Sequence, residues 1–184
     1  MQHFMQLTGV VEAALYRGDG VAGWSAMVTA WKPLVRSQLL RVVEITRCEA
    51  WHLRCRAGLA AAVAWGPGSP DGRKVLQQVR KFLRVLDRET FPWGRPWSRL
   101  TKAGIASIEG KKSEALDHLV AAAAAFDSLH LDFYAAVSRR RRGQLLGPEG
   151  GGERFIEEAD RWMREQGIEN PARMSETAAP GAWG

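Results

Sequence analysis

The sequence predicts an all-α protein in which antiparallel helical hairpins stack as an α-solenoid. Apolar residues recur at intervals of three and four through most of the chain, which is the helical period. Glycine- and proline-rich breakers divide the chain into segments of about one helix each. No segment alternates apolar and polar residues in the manner of a strand. Small residues lie where two antiparallel helices would touch, most clearly at Ala103, Ala106, Gly110 and Ala115.

The first half of the chain predicts three or four helices. The spacing of Phe4, Leu7 and Val11 predicts a helix over residues 2–17, which Gly18-Asp19-Gly20 ends. A second helix follows over residues 21–31, and Pro33 marks either its end or the start of the next helix. Residues 34–65 keep a helical period and predict one long helix or two nearly collinear ones.

The second half begins after the breaker at residues 66–72, where Asp71 is the predicted N-cap of a strongly amphipathic helix. A rigid turn is predicted at residues 92–97. Three helices follow it: one that ends at Gly110, one over residues 113–129, and one over residues 132–146 that Asp132 caps. A further helix follows the glycine-rich residues 147–152. We expect one domain over residues 1–178 and a flexible tail over residues 179–184.

Composition places the chain among folded proteins. Hydrophobic residues make up 46% and charged residues 25% of its 184 residues, which excludes the disordered class. Its apolar runs are too short to span a bilayer, and its first ten residues lack the pattern of a secretory signal. Two cysteines, seven positions apart on one predicted helix, cannot form a disulfide framework. We therefore expect a cytoplasmic protein with no membrane partner.

The net charge of +6 is unevenly distributed. Residues 71–102 carry nine basic and three acidic side chains, whereas residues 103–184 carry ten basic and thirteen acidic ones. A basic surplus in the middle of the chain suits nucleic acid, an acidic partner surface or a neighbouring domain.

No residue pattern predicts catalysis or a bound cofactor. Cys48, His52 and Cys55 share one helical face, but two helical turns separate the cysteines and no further ligand pair occurs in the sequence, so we expect buried thiols and no metal site. The glycine-rich loops lack the Gly-Lys-Ser/Thr sequence of a P-loop, and no histidine has an evident nucleophile partner. The chain is therefore predicted not to be an enzyme.

Charged and aromatic residues supply the candidate partner-binding positions. Arg139, Arg140, Arg141 and Arg142 cover every side of one helix, and Arg141 falls on its apolar stripe, where it is expected to meet an acid from a neighbouring hairpin. The run could join the basic face of the amphipathic helix in a phosphate-binding surface, or it could supply solvated faces and inter-helix ion pairs. The full candidate set is Lys74, Lys81, Arg88, Arg139, Arg140, Arg142 and two tryptophans of the rigid turn, Trp93 and Trp97, one of which could be an exposed anchor.

The small-residue spacing after Ala103 resembles a tetratricopeptide hairpin. More specifically, residues 7–174 resemble the C-terminal helical-repeat region of large bacterial Ser/Thr protein kinases that carry a signal-transduction NTPase module. The residues that carry this resemblance are Phe126-Asp127, Tyr134-Ala135-Ala136, Arg139-Arg140-Arg141, Gly143, Leu145-Leu146-Gly147, Ala159-Asp160-Arg161-Trp162-Met163, Gln166-Gly167-Ile168, Asn170-Pro171 and Arg173-Met174. The resemblance implies a regulatory or sensor region. The glycine-rich loop, the His-Arg-Asp and Asp-Phe-Gly motifs and the Walker motifs are absent, so no kinase or ATPase residue is carried over.

Two functions follow as hypotheses. The first is a non-catalytic scaffold in bacterial signalling that binds a protein partner or a neighbouring kinase or NTPase domain. The alternative is a basic helical protein that binds nucleic acid through Lys74, Lys81, Arg88 and the arginine run.

Overall fold

The computed structural model describes residues 2–184, and these fold into ten α-helices with no strand among them. The all-α prediction is confirmed. The helices are α1 (Gln2–Tyr16), α2 (Gly20–Arg36), α3 (Leu39–Val42), α4 (Glu44–Trp65), α5 (Pro70–Leu86), α6 (Gly94–Ile108), α7 (Lys112–Ser128), α8 (Asp132–Leu146), α9 (Gly152–Glu165) and α10 (Pro171–Ala178). The chain divides into two compact units, the first ending at Arg95 and the second covering Pro96–Gly184, where the sequence predicted one domain.

The first unit is built on the long helix α4, which packs against α1, α2 and α5. Its core contains Val11, Met27 and Val79, none of which is exposed to solvent. The approach of α4 to α5 is close at Gly58, because a Cβ atom there would lie 2.5 Å from Cγ2 of Val79. Glycine in the middle of α4 therefore permits the helix contact that forms this core.

Two helix boundaries in the first unit differ from the prediction. Pro33 lies inside α2, near its C-terminal end, and the helix continues to Arg36 before Ser37 closes it through bonds to the carbonyls of Pro33 and Leu34. Pro33 lacks the N–H that would bond to the carbonyl four residues earlier, and only three helical residues follow it before α2 ends. The N-cap of α5 is Ser69, whose hydroxyl accepts from the Gly72 amide, and the predicted cap Asp71 lies in the first turn.

The second unit contains two successive helix-turn-helix segments in which residues with positive φ recur at a constant offset. Gly110 after α6 and Gly147 after α8 adopt left-handed φ values of 72° and 70°, and the two positions are 37 residues apart. His130 after α7 and Gly167 after α9 have φ values of 55° and 80°, again with an offset of 37. The turns at His130 and Gly167 also share a hydrogen-bond pattern, because the N–H of the following residue bonds to the carbonyl five residues earlier, whereas the α6–α7 and α8–α9 turns differ in length.

Buried side chains hold these hairpins together. α8 packs against both α7 and α9, and Leu119, Phe126, Val137 and Met163 are fully buried. The predicted capping role of Asp132 is not seen: Leu131 is the N-cap of α8 and no side chain caps this helix.

Residues 179–184 pack against the second unit, although the sequence predicted a flexible tail. Ala179 is buried, and Trp183 is 5% exposed. A tryptophan buries a large apolar area when its indole N–H also finds an acceptor, and here the backbone carbonyl of Ala179 accepts it at 2.9 Å.

Candidate peptide-binding surface

Residues 179–184 lie as a non-helical segment on α6 and α8, and we call them the C-terminal segment. The backbone N–H of Ala182 donates to Oγ of Ser107 on α6 at 3.1 Å. A Cβ atom added to Gly184 would lie 3.4 Å from the carbonyl oxygen of Gln144 on α8. Trp97 of α6 and Tyr134 of α8 contact edge to face with ring centroids 5.7 Å apart. Two helices that are joined through aromatic side chains therefore carry an irregular peptide segment of the same chain.

Arg141 of α8 lies beneath this segment. Its side chain is 2% exposed, and its Cζ atom is 5.6 Å from the centroid of the Trp183 ring. Nη1 donates to Oε1 of Gln144 at 2.7 Å, whereas the buried Nε has no hydrogen-bond partner. Within residues 2–184 the guanidinium forms no ion pair, so the acid that the sequence predicted for Arg141 is missing.

Burial lowers the pKa of Arg141 to about 9; the charge of Arg140 acts in the same direction, and that of Glu176 opposes it. A buried cation without a counter-charge is costly. Glu176, the acid that acts on Arg141, already binds Arg173 at 2.8 Å, and Asp160 is the partner of the adjacent Arg140 at 2.7 Å. An external carboxylate is the group that would complete this site.

The other three arginines of the run are used inside the second unit. Arg139 pairs with Asp127 of α7 at 2.5 Å, and Arg140 pairs with Asp160 of α9. The Cζ atom of Arg142 lies 4.4 Å from the centroid of the Phe155 ring. The run therefore joins α8 to both neighbouring helices. The acidic partner expected for Arg141 is bound instead by Arg140, which is buried.

A cleft of about 270 Å³ beside Arg139 does not provide a basic surface either. Its lining includes Asp132, Glu158 and Trp162 as well as Arg139. Two acids accompany the one cation, so the cleft carries no positive surplus for phosphate groups.

The two tryptophans of the turn have different environments. Trp97 is 3% exposed and packs on Tyr134, so it is a core residue and not an exposed anchor. Trp93 is half-buried and packs edge to face on Phe91 at 5.1 Å. Of the two candidates, Trp93 alone retains a solvent-facing part.

The basic face of α5 is exposed. Lys74 and Lys81 of α5 and Arg88, two residues after its end, all face solvent, whereas Val75 and Val79 of α5 are buried. This arrangement matches the predicted amphipathic pattern and leaves a row of cations on the first unit.

An arginine that sequence reasoning missed lies in an aromatic sandwich in the first unit. The Cζ atom of Arg54 is 3.9 Å from the Trp31 ring centroid and 4.0 Å from that of Phe82. Trp51 extends the cluster, with its ring centroid 4.6 Å from that of Trp31. Burial lowers the pKa of Arg54 to about 10, and the aromatic faces compensate for part of the lost hydration. The spacing of Arg54 in the sequence does not predict this aromatic cluster, because the partners of Arg54 lie on α2 and α5.

The thiols and the histidine of α4 are core groups. Cys48, His52 and Cys55 are buried, and burial raises the pKa of each thiol to about 12. Burial also lowers the pKa of His52 well below its usual range, with the charge of Arg56 as a lesser cause. No group of three or more His, Cys, Asp or Glu side chains in residues 2–184 could hold a metal ion.

An apolar cleft of about 490 Å³ lies between α1 and α2 of the first unit. Phe4, Leu7 and Val10 line one side, and Pro33 and Leu34 line the other. The lining also contains the polar side chains of His3, Gln6 and Ser37 but no buried charged group.

No helix among residues 2–184 is both long enough and apolar enough to cross a lipid bilayer. In comparisons with known proteins, no family model, curated protein or solved structure matches the chain significantly.

Proposed function

We propose that the chain is a non-catalytic, tetratricopeptide-like helical scaffold that binds a protein partner. Following the resemblance in its sequence, we place it in bacterial signalling, as a cytoplasmic regulatory or sensor region associated with a Ser/Thr kinase. The proposed partner is a protein or a neighbouring kinase or NTPase domain, and no cofactor is required.

One observation carries this proposal: helices α6 and α8 already hold a peptide segment through side-chain contacts, at Ser107 and above Arg141. Helical-repeat proteins use such surfaces for protein recognition. The positive-φ turn positions of the second unit recur at an offset of 37 residues, which lies within the range of helical-repeat lengths and supports the same class.

The alternative is a nucleic-acid-binding protein that uses α5. The solvent-exposed cations Lys74, Lys81 and Arg88 favour it. It is weakened by the arginine run, since Arg140 is buried in an ion pair with Asp160 and Arg139 is paired with Asp127.

The two functions are separated by capture of the cross-linked, tagged chain from cells that express it, with and without nuclease treatment. We expect one defined protein to co-purify with the chain in a constant ratio and to remain bound after nuclease treatment. Material that disappears after nuclease treatment would contradict the scaffold and favour the alternative. A companion titration of duplex and single-stranded DNA should give no measurable binding at low salt, where phosphate contacts are strongest.

A further inference from the structure

We infer that Ser107, Arg141 and Gln144 form a site for an extended peptide that carries a carboxylate next to an aromatic side chain, and that the C-terminal segment occupies this site as an intramolecular competitor. The inference rests on the proposed protein-binding function and names the ligand chemistry and the regulation of one surface.

The C-terminal segment has the geometry of a bound peptide. It is not part of a helix, its Ala182 amide bonds to a helical side chain, and its Trp183 ring is buried while Ala182 and Gly184 are exposed. The indole bonds to the segment's own Ala179 carbonyl. The helices thus recognise one buried ring and one backbone N–H, which a similar peptide could supply from outside.

The fit of the C-terminal segment is incomplete at Arg141. Residues 179–184 contain no acidic side chain, and the buried Nε of Arg141 stays without an acceptor beneath Trp183. The side chain is fixed by its bond to Gln144 and not by an ion pair. A peptide with a carboxylate beside its aromatic residue would form a charge-assisted bond to Arg141 that residues 179–184 do not form in this structure.

Attachment to the chain gives the C-terminal segment its advantage. An intramolecular competitor acts at an effective concentration in the millimolar range, so it can exclude a peptide that makes better contacts. Weakening the segment should therefore open the site to a peptide in solution.

The test uses the full chain and two fluorescein-labelled peptides, Ala-Ala-Pro-Gly-Ala-Trp-Asp-amide and the matched peptide that ends in Asn-amide. Binding is followed by fluorescence anisotropy to wild type and to Trp183→Ala, with Trp162→Ala of α9 as the tryptophan control. We expect Trp183→Ala to bind the Asp peptide at least about tenfold more tightly than wild type or Trp162→Ala.

Charge recognition is tested on the Trp183→Ala chain, which serves as its own folding control because both peptides are measured on one preparation. We expect the Asp peptide to bind at least about fivefold more tightly than the Asn peptide. Adding Arg141→Gln should abolish this preference, whereas adding Arg142→Gln, whose guanidinium lies over Phe155, should preserve it. Circular dichroism and thermal melting verify that each variant is folded.

Equal affinities of wild type and Trp183→Ala, equal affinities for the two peptides, or no binding at about 1 mM peptide would each overturn the inference. A protein partner captured from cells in that case would preserve the scaffold function and locate it on another surface.

Discussion

Replacing Arg141 with methionine should stabilise the protein. Arg141 is 2% exposed and pairs with no acid, and burial lowers its pKa to about 9. Because one pKa unit corresponds to about 1.4 kcal/mol, burying this charge costs a few kcal/mol. Arg141→Met removes that cost and loses a hydrogen bond to Gln144 worth about 1 kcal/mol. We expect the free energy of unfolding to rise by about 2 kcal/mol, as in other proteins where apolar residues replace buried charges.

The adjacent arginine provides the matched control. Arg140 is also buried, but it binds Asp160 at 2.7 Å, so Arg140→Met leaves a largely buried carboxylate with only the more distant Arg164. We expect a loss of about 3 kcal/mol. Urea unfolding followed by circular dichroism measures both variants. If Arg141→Met is destabilising by an amount similar to Arg140→Met, the assignment of Arg141 as an uncompensated cation is refuted.

The pH dependence gives a second measure of the same charge. The folded state releases the Arg141 proton near pH 9, whereas the unfolded state keeps it to higher pH. The unfolded state therefore binds more protons above pH 9, and the stability of wild type should rise there relative to Arg141→Met. A gap between the two proteins that is constant from pH 8 to pH 10 would contradict this.

Three further predictions concern the rest of the chain. His52 stays neutral in the folded state because burial lowers its pKa. The free energy of unfolding should therefore fall as pH drops from 7 to 5, by up to about 1.4 kcal/mol per pH unit. Urea titrations of His52→Gln should lack this pH dependence. Cys48 and Cys55 are buried and their pKa values are raised to about 12, so neither should react with a disulfide reagent in the native chain. Both should react in denaturant, and rapid labelling of the folded protein would be inconsistent with their burial. His130 has a φ of 55°, so His130→Gly should raise the free energy of unfolding by about 0.5 kcal/mol and raise the melting temperature, whereas His130→Ala should do neither. A lower melting temperature for the glycine variant would count against backbone strain at this turn.

The sequence predicted the helices well where local signals decide them. The first helix was expected over residues 2–17 and is Gln2–Tyr16, and the helix expected over residues 132–146 is Asp132–Leu146. The spacing of apolar residues predicts these two helices, and a glycine with positive φ follows each of them. Both signals can be recognised within a few neighbouring residues of the sequence. The break around Ser37 was not predicted because no glycine or proline marks it and Pro33 is tolerated one turn earlier.

The site depended on contacts that no local pattern contains. The spacing of the arginine run correctly indicated that Arg141 points inward, but which arginine meets Asp160 depends on how α8 and α9 pack. The same limit applies to Arg54, whose aromatic partners lie on two other helices. Residues 179–184 read as a tail because they are short and rich in small residues, and the one signal against this was Trp183, a large ring that gains most by burial.

The most direct test of the account is the nuclear magnetic resonance signal of the Trp183 indole N–H in the ¹⁵N-labelled full chain, assigned by its loss in Trp183→Phe. This N–H is bonded to the Ala179 carbonyl in the buried segment. Titration with unlabelled acidic peptide should move the signal to the position of a solvent-exposed indole and leave that of buried Trp24 in the first unit unchanged. A Trp183 signal that stays in place while the peptide binds would show that the peptide and residues 179–184 do not share one site.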